Sequence, residues 1–293
     1  MYLTPYSNRG RRYRLEEAIG EGRNSVVYKS YDVQNKGKTK PVSVKWFKDA
    51  VPAAVKKEFT NLICSFHPHV VEVEDYSLNP AFLVMEYIPE TLRDRVVKGT
   101  VTQQIVIDYL LQLPEILAGF IQKNIVHGDF KDSNIGYTEN RLIKALDFGL
   151  TLPLRVMKIK ADDFIPLHYP PEFRLSKLLT PGHDTFSAGK VLESILLGHY
   201  CRTASDALER MELFYDTKIP IAFKRVYLSL VHPDYRKRPL PDQLRILVKE
   251  AVHELDKKCY FKPQQLVPLA QVQELNKSCH QPDAVENHKR PAS

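Results

Sequence analysis

Cysteine is scarce in this chain: Cys64, Cys201, Cys259 and Cys279 are the only four in 293 residues, and none is at a paired spacing. That excludes a disulfide framework or a cysteine zinc site as the basis of the fold and fits a reducing setting, so a cytoplasmic location is expected. Residues 1–14 lack the apolar core of a signal peptide, and Arg9, Arg11, Arg12 and Arg14 make the stretch a solvated basic arm. An uninterrupted membrane-length apolar run is also missing. The most apolar stretch, 105–121, holds Asp108, Gln112, Pro114 and Glu115 and reads as a buried helix, so no membrane attachment is expected. No excess of proline, glycine or charge opposes folding, and a hydrophobic content of 43% suffices for one large core or for two lobes sharing a cleft. The net charge of +7 suits a polyanionic ligand. No stretch interleaves basic and aromatic side chains as a nucleic-acid module does, so nucleic acid is not an expected partner. His67, His69, His168 and His183 are not at metal-ligand spacing and read as loop or core histidines.

From Tyr13 to Ile88 the apolar residues alternate or form short β-branched runs, at 26–28, 42–46, 70–73 and 82–85, which predicts strands. One helical stretch interrupts them, 53–66, with Val55, Phe59, Leu62 and Ile63 at helical spacing. After Pro89 the period turns helical, at 103–122, 184–197, 205–214, 221–231 and 241–255. The expected fold is α+β and two-lobed: a small antiparallel sheet with one helix over 13–87, then a mainly α-helical lobe over 88–256. Residues 1–12 form a flexible basic arm in this reading, and the polar stretch 257–293 a flexible tail.

The chemistry concentrates in His127-Gly128-Asp129-Phe130-Lys131-Asp132-Ser133-Asn134 and in Asp147-Phe148-Gly149. Two carboxylates, a lysine and an amide at this spacing are the groups that move a phosphoryl group from Mg-ATP. Upstream, Gly20-Glu21-Gly22-Arg23-Asn24-Ser25 sits at a strand turn where glycines let backbone N–H groups approach phosphate oxygens, although glycines at a hairpin often make only a hairpin. Lys45 projects from an apolar strand and Glu58 from the next helix; taken alone they could be a surface salt bridge of little energetic value. Order decides between these readings: glycine loop, strand lysine, helix glutamate, Asp129/Asn134 and Asp147 succeed one another as in protein kinases. Pro170-Pro171-Glu172, the run 184–189 and Arg238-Pro239 supply further landmarks. From Tyr13 to Leu255 the chain resembles the protein kinase superfamily, as a variant with Gly128 in place of the arginine of the His-Arg-Asp motif.

The resemblance implies a serine/threonine protein kinase that uses ATP and Mg2+, with Mn2+ as an alternative. It implies that Lys45 grips the α and β phosphates and is held by Glu58, that Gly20, Gly22 and Ser25 shape the phosphate loop, and that Val27 roofs the adenine. Met85 then lies at the back of the pocket, with the Glu86 carbonyl and Ile88 amide on the purine edge. Asp147 and Asn134 hold the metal, Asp129 accepts the substrate hydroxyl proton, and Lys131 neutralises the transferred phosphate. Glu172 and Arg238 form a structural ion pair, while Leu62, Val73, His127 and Phe148 stack between the lobes over Asp184.

Several positions depart from the family. Ser25 replaces the third loop glycine. Ser43 replaces an alanine above the base and Gly136 a bulky residue below it, which thins the apolar sandwich and predicts weak ATP affinity. Gly128 removes the arginine that pairs with a loop phosphate, and between Asp147 and Glu172 only Thr151 and Tyr169 carry hydroxyls, so a switch by phosphorylation of this segment is not expected. Ile165 stands where a threonine usually bridges to the catalytic loop. Leu92 and Ser133 replace acidic residues used to bind basic substrates, and Arg155, Lys158 and Lys160 add positive charge, so an acidic or already phosphorylated protein substrate is expected. A pseudokinase scaffold and a small-molecule phosphotransferase are the alternatives. Oligomeric state is open.

Overall fold

Period-two alternation builds the first lobe and decides which side chains reach the cleft. The computed structural model describes residues 2–3, 12–22, 24–33, 39–48, 52–155, 157–158, 167–198 and 219–258. Strands β1 (Tyr2–Leu3), β2 (Tyr13–Glu21), β3 (Ser25–Asp32), β4 (Lys40–Phe47), β5 (Val73–Leu78) and β6 (Ala81–Glu86) form one antiparallel sheet in the order β1-β2-β3-β4-β6-β5. Val42, Val44, Phe82 and Val84 pack with Tyr13 in a small core on one face. The intervening residues Ser43 and Lys45 point to the other face, where Ser43 pairs across strands with Met85, and Lys45 with Leu83 and Val27. Helix α1 (Pro52–Cys64) lies on that face and buries Val55, Glu58 and Leu62. Pro52 opens it, its fixed φ and missing N–H costing nothing at a first helical turn. Ile63 is not on the core face as expected but 53% exposed, one helical step off the 55/58/62 line.

Two expectations for this lobe need correction. Tyr2–Leu3, read as part of a flexible arm, pairs with Arg14 and Tyr13 as an extra edge strand, covering backbone groups that β2 would otherwise leave unpaired. The β-branched run 70–73 is not one strand. Val70 and Val71, both buried, pass between the lobes, where Val71 N donates to Ala145 O (3.0 Å) and Ala145 N to His69 O (2.8 Å); strand β5 begins only at Val73.

The second lobe is helical, as expected. After β7 (Glu90–Thr91) comes α2 (Leu92–Val97), a short helix not expected from the sequence, closed at its start by a capping box between Thr91 and Asp94. Helix α3 (Gln103–Gln122) is the candidate membrane span by length and composition among the described residues. It instead packs on α5 (His183–Leu197) and α7 (Pro241–Lys258), and α6 (Ile221–Leu230) packs on both of these. The short strands β8 (Ile125–Val126), β9 (Ile135–Tyr137), β10 (Ile143–Ala145), β11 (Leu152–Pro153), β12 (Met157–Lys158) and β13 (Leu178–Leu179) pair as β10-β9-β7, β11-β8 and β12-β13, and α4 (Pro171–Ser176) packs beside β13. Helix α7 ends at Lys258, three residues later than expected, and the helix expected at 205–214 lies outside the described residues, as does nearly all of the tail.

Candidate active site

A cleft of about 420 Å³ separates the lobes, and every residue assigned to cofactor or metal binding from the sequence lines it: Gly20, Gly22, Ser25, Val27, Lys45, Glu58, Met85, Glu86, Ile88, Asn134 and Asp147. Lys131 lines it as well. Asp129 joins the group through Lys131 Nζ and Asn134 Nδ2, which donate to its Oδ2 at 2.6 and 2.9 Å.

Lys45 organises the phosphate side. Its Nζ donates to Glu58 Oε1 and Oε2 at 2.7 and 2.8 Å and to Asp147 Oδ1 at 2.9 Å. Burial works against the ammonium, but the two carboxylates outweigh it and keep Lys45 protonated with a raised pKa. At Glu58 burial is the larger influence and holds the carboxyl above its usual range. At Asp147 burial also pushes upward, yet the charge and hydrogen bond of Lys45 win and bring the carboxyl down. Asp147 has φ of 59°, in the left-handed region that non-glycine residues avoid, and this strained backbone turns its carboxylate toward Lys45 and the cleft.

The segment 127–134 is held from below. Asp184, at the buried start of α5, accepts from His127 N at 2.6 Å and Gly128 N at 3.1 Å. Gly128 has φ of 83°, and a Cβ there would stand 2.9 Å from the Leu150 carbonyl oxygen, so the backbone itself demands glycine. His127 and Phe148 meet edge to face with ring centroids 4.7 Å apart, and Leu62 and Val73 pack in the same apolar core as Phe148. Arg238 grips Glu172 bidentately at 2.7 and 2.8 Å.

These residues fit a nucleotide with a divalent cation. Asn134 Nδ2 uses its hydrogens on Asp129 O and Oδ2, both at 2.9 Å, which leaves Oδ1 as an acceptor for a metal. One lysine between two carboxylates leaves a negative excess, which a cation would balance. No group of three or more His, Cys, Asp or Glu able to hold a metal occurs among the described residues; magnesium is commonly held by one or two carboxylates together with substrate phosphates, which matches.

Two readings from the sequence change here. Gly136 does not leave the floor of the base pocket open: a Cβ there would lie 2.6 Å from Ile88 Cγ2, so the Ile88 side chain already fills that space. His168 is not a passive loop histidine. Its Nε2 lies 3.0 Å from Asp129 Oδ1, a contact that sequence reasoning missed because 39 positions separate the two residues. The other histidines stay structural: His69 bonds the Ile143 carbonyl at 2.9 Å, and His183 is 1% exposed. Ile165 and Lys160 lie outside the described residues.

The comparisons with known proteins agree with this geometry. The protein kinase domain family matches residues 13–265. A "Probable serine/threonine-protein kinase" of Clostridium perfringens is 26% identical over 258 residues, 84% of this chain and 36% of the relative. A second so named, from Clostridium acetobutylicum, is 27% identical over 83% of this chain and 37% of its own length, so the chain spans little more than a third of these two relatives. "Cell division control protein 2 homolog 3" of Trypanosoma brucei brucei is 27% identical over 86% of this chain and 87% of the relative. With a family match over most of its length and the site assembled in one cleft, the chain belongs to the protein kinase domain family.

Proposed function

We propose that the chain is a serine/threonine protein kinase that transfers the γ-phosphate of Mg-ATP to a protein hydroxyl. In this reading the hydroxyl oxygen bonds to the γ-phosphorus as the bond to the β-phosphate oxygen breaks. ADP keeps the electron pair and Asp129 takes the hydroxyl proton. The observation that carries the proposal is the shared cleft: Lys45 clamped by Glu58, Asp147 beside it, and Asp129 tied to Lys131 and Asn134. A divalent metal, when bound, draws charge off the phosphates; Asp147 and the Asn134 side-chain oxygen would hold it. Lys45 orients the phosphates, Lys131 sets positive charge where the transferred group passes, and the Ile88 and Met85 side chains exclude water around the base.

Asp129 suits a base that accepts its proton only as transfer proceeds. Burial alone would raise its pKa, but the His168 hydrogen bond and the charge of Lys131 bring it down to about 2, so the carboxylate is ionised when the hydroxyl arrives. Our reading includes no switch by phosphorylation of the segment 147–172. The Thr151 hydroxyl is buried and directed at the His127 carbonyl, and the Tyr169 ring packs on Phe173 and His183. It also includes a cytoplasmic setting and an acidic or already phosphorylated protein substrate, supported by Arg155 and the basic residues at 158 and 160.

The test is γ-phosphate transfer from Mg-ATP by wild type and Asp129→Ala, onto the protein itself and onto a generic basic protein, followed by phosphoamino-acid analysis. Phosphoserine or phosphothreonine made by wild type and lost in the variant supports the proposal. Nucleotide binding without transfer would point to a small-molecule acceptor, and absence of nucleotide binding to a scaffold.

A further inference from the structure

Asp129 has nearly exhausted its acceptor capacity. A carboxylate offers about four lone-pair positions, two on each oxygen. Lys131 Nζ and Asn134 Nδ2 take both on Oδ2, and His168 Nε2 takes one on Oδ1, at 3.0 Å. A carboxylate only accepts, so the contact has the hydrogen on His168 Nε2, which donates it to Oδ1. One position remains, on Oδ1 beside the imidazole.

We propose that His168 is the positioning residue for the catalytic carboxylate: it fixes the Asp129 rotamer from the segment 147–172 and directs the incoming substrate hydroxyl to the one free position on Oδ1. This deepens the kinase reading given above and rests on it. The placement is built into the fold. Ser187 Oγ, on α5, donates to the His168 carbonyl at 2.9 Å, and Ser187 is fully buried. Three residues earlier on the same helix, Asp184 grips the backbone of His127 and Gly128 at 2.6 and 3.1 Å. Both partners of the His168–Asp129 contact are therefore referenced to one rigid, buried helix end. The imidazole is further wedged by the Tyr169 ring, 4.8 Å away and nearly perpendicular to it. Lys131 and Asn134 belong to the same loop as Asp129. His168 lies 39 positions further along the chain, so its bond ties the base to the segment 147–172 without a phosphate.

Steady-state transfer onto the acceptor protein, nucleotide affinity and thermal unfolding of wild type, His168→Phe and His168→Gln test this. Phenylalanine keeps a ring of similar shape but has no donor; glutamine restores an N–H at similar reach. A small misplacement of a reacting group costs about 100-fold in rate, so His168→Phe should lose about that factor in kcat with unchanged KM for ATP and unchanged melting temperature, and His168→Gln should regain most of it. Should the Phe variant melt below the assay temperature, His168→Asn, whose amide is too short to reach Oδ1, supplies the same loss in a folded enzyme. A kcat within about threefold of wild type in the donor-less variants overturns the proposal. So does a Gln variant as slow as the Phe one, or a KM for ATP that rises as kcat falls. Wild type that binds ATP and transfers nothing overturns the kinase reading itself, and this inference with it.

Discussion

Lys45 and Glu58 form a closed pair, with Nζ 2.7 and 2.8 Å from the two carboxylate oxygens and side chains only 8% and 3% exposed. Removing one member of a buried pair strands the other charge, which costs about 3 to 5 kcal/mol, whereas replacing both with apolar groups is often neutral. Glu58→Ala should therefore lower unfolding stability by about 3 kcal/mol, the low end because Asp147 remains a partner of Lys45. The double variant Lys45→Met/Glu58→Leu should recover most of that loss while binding no better to ATP. Urea denaturation of the single and double variants gives the coupling; equal losses in both would show that no stranded charge is involved.

Ile88 stands in for the side chain that Gly136 lacks. Gly136→Leu has to displace Ile88 from the floor of the pocket, so MgATP affinity should fall at least about tenfold, a loss of about 1.4 kcal/mol. Ile88→Ala in the same chain should restore part of it, because the leucine then fills the vacated volume. With Ser43 above the base, the wild-type dissociation constant for MgATP should itself lie above about 1 μM. Calorimetric titration of the three proteins measures both.

Gly128 is the departure that invites repair by the arginine common among regulated kinases. The structure predicts the opposite of a repair. At φ of 83°, with the Leu150 carbonyl 2.9 Å from the added Cβ, Gly128→Arg strains the segment that Asp184 holds. Stability should drop by about 1 to 3 kcal/mol, and transfer activity should fall without becoming dependent on phosphorylation. Thermal unfolding and assays before and after phosphatase treatment would show whether it does.

His183 gives the fold an acid limit. Burial first, then His168 and Arg238, push its imidazole down to about 3, and neither ring nitrogen has a hydrogen-bond partner among the described residues. The unfolded chain therefore protonates this residue at a higher pH than the folded one, and stability must rise with pH across the interval between them. The contribution is complete above about pH 6.5 and is lost as pH falls toward 3. His183→Phe, packed against Tyr169 and Phe173, removes that one proton. Between pH 7.5 and 5 wild type should lose about 2 kcal/mol more than the variant. Parallel pH dependences would show that His183 is charged in the folded state.

The sequence by itself determined whatever depends on neighbours along the chain. The residues assigned to catalysis, within six positions of one another at 129–134, could be named together because one loop carries them. Helix α3 was legible to the residue, since its 3.6-residue period runs unbroken from Gln103 to Gln122. The Lys45–Glu58 pair, which taken alone could be a surface salt bridge, could be named from its place in the order of motifs along the chain. Only the tertiary structure decided contacts between distant segments. His168 meets Asp129 because α5 anchors both, Ile88 fills the place of Gly136 because the linker between the lobes crosses the β9 strand, and Val70–Val71 bridges to Ala145 instead of continuing β5. Hydrophobic pattern records how strongly a residue is buried and with what period. It carries no record of the partner against which burial happens, because that partner is selected only when the lobes close on each other.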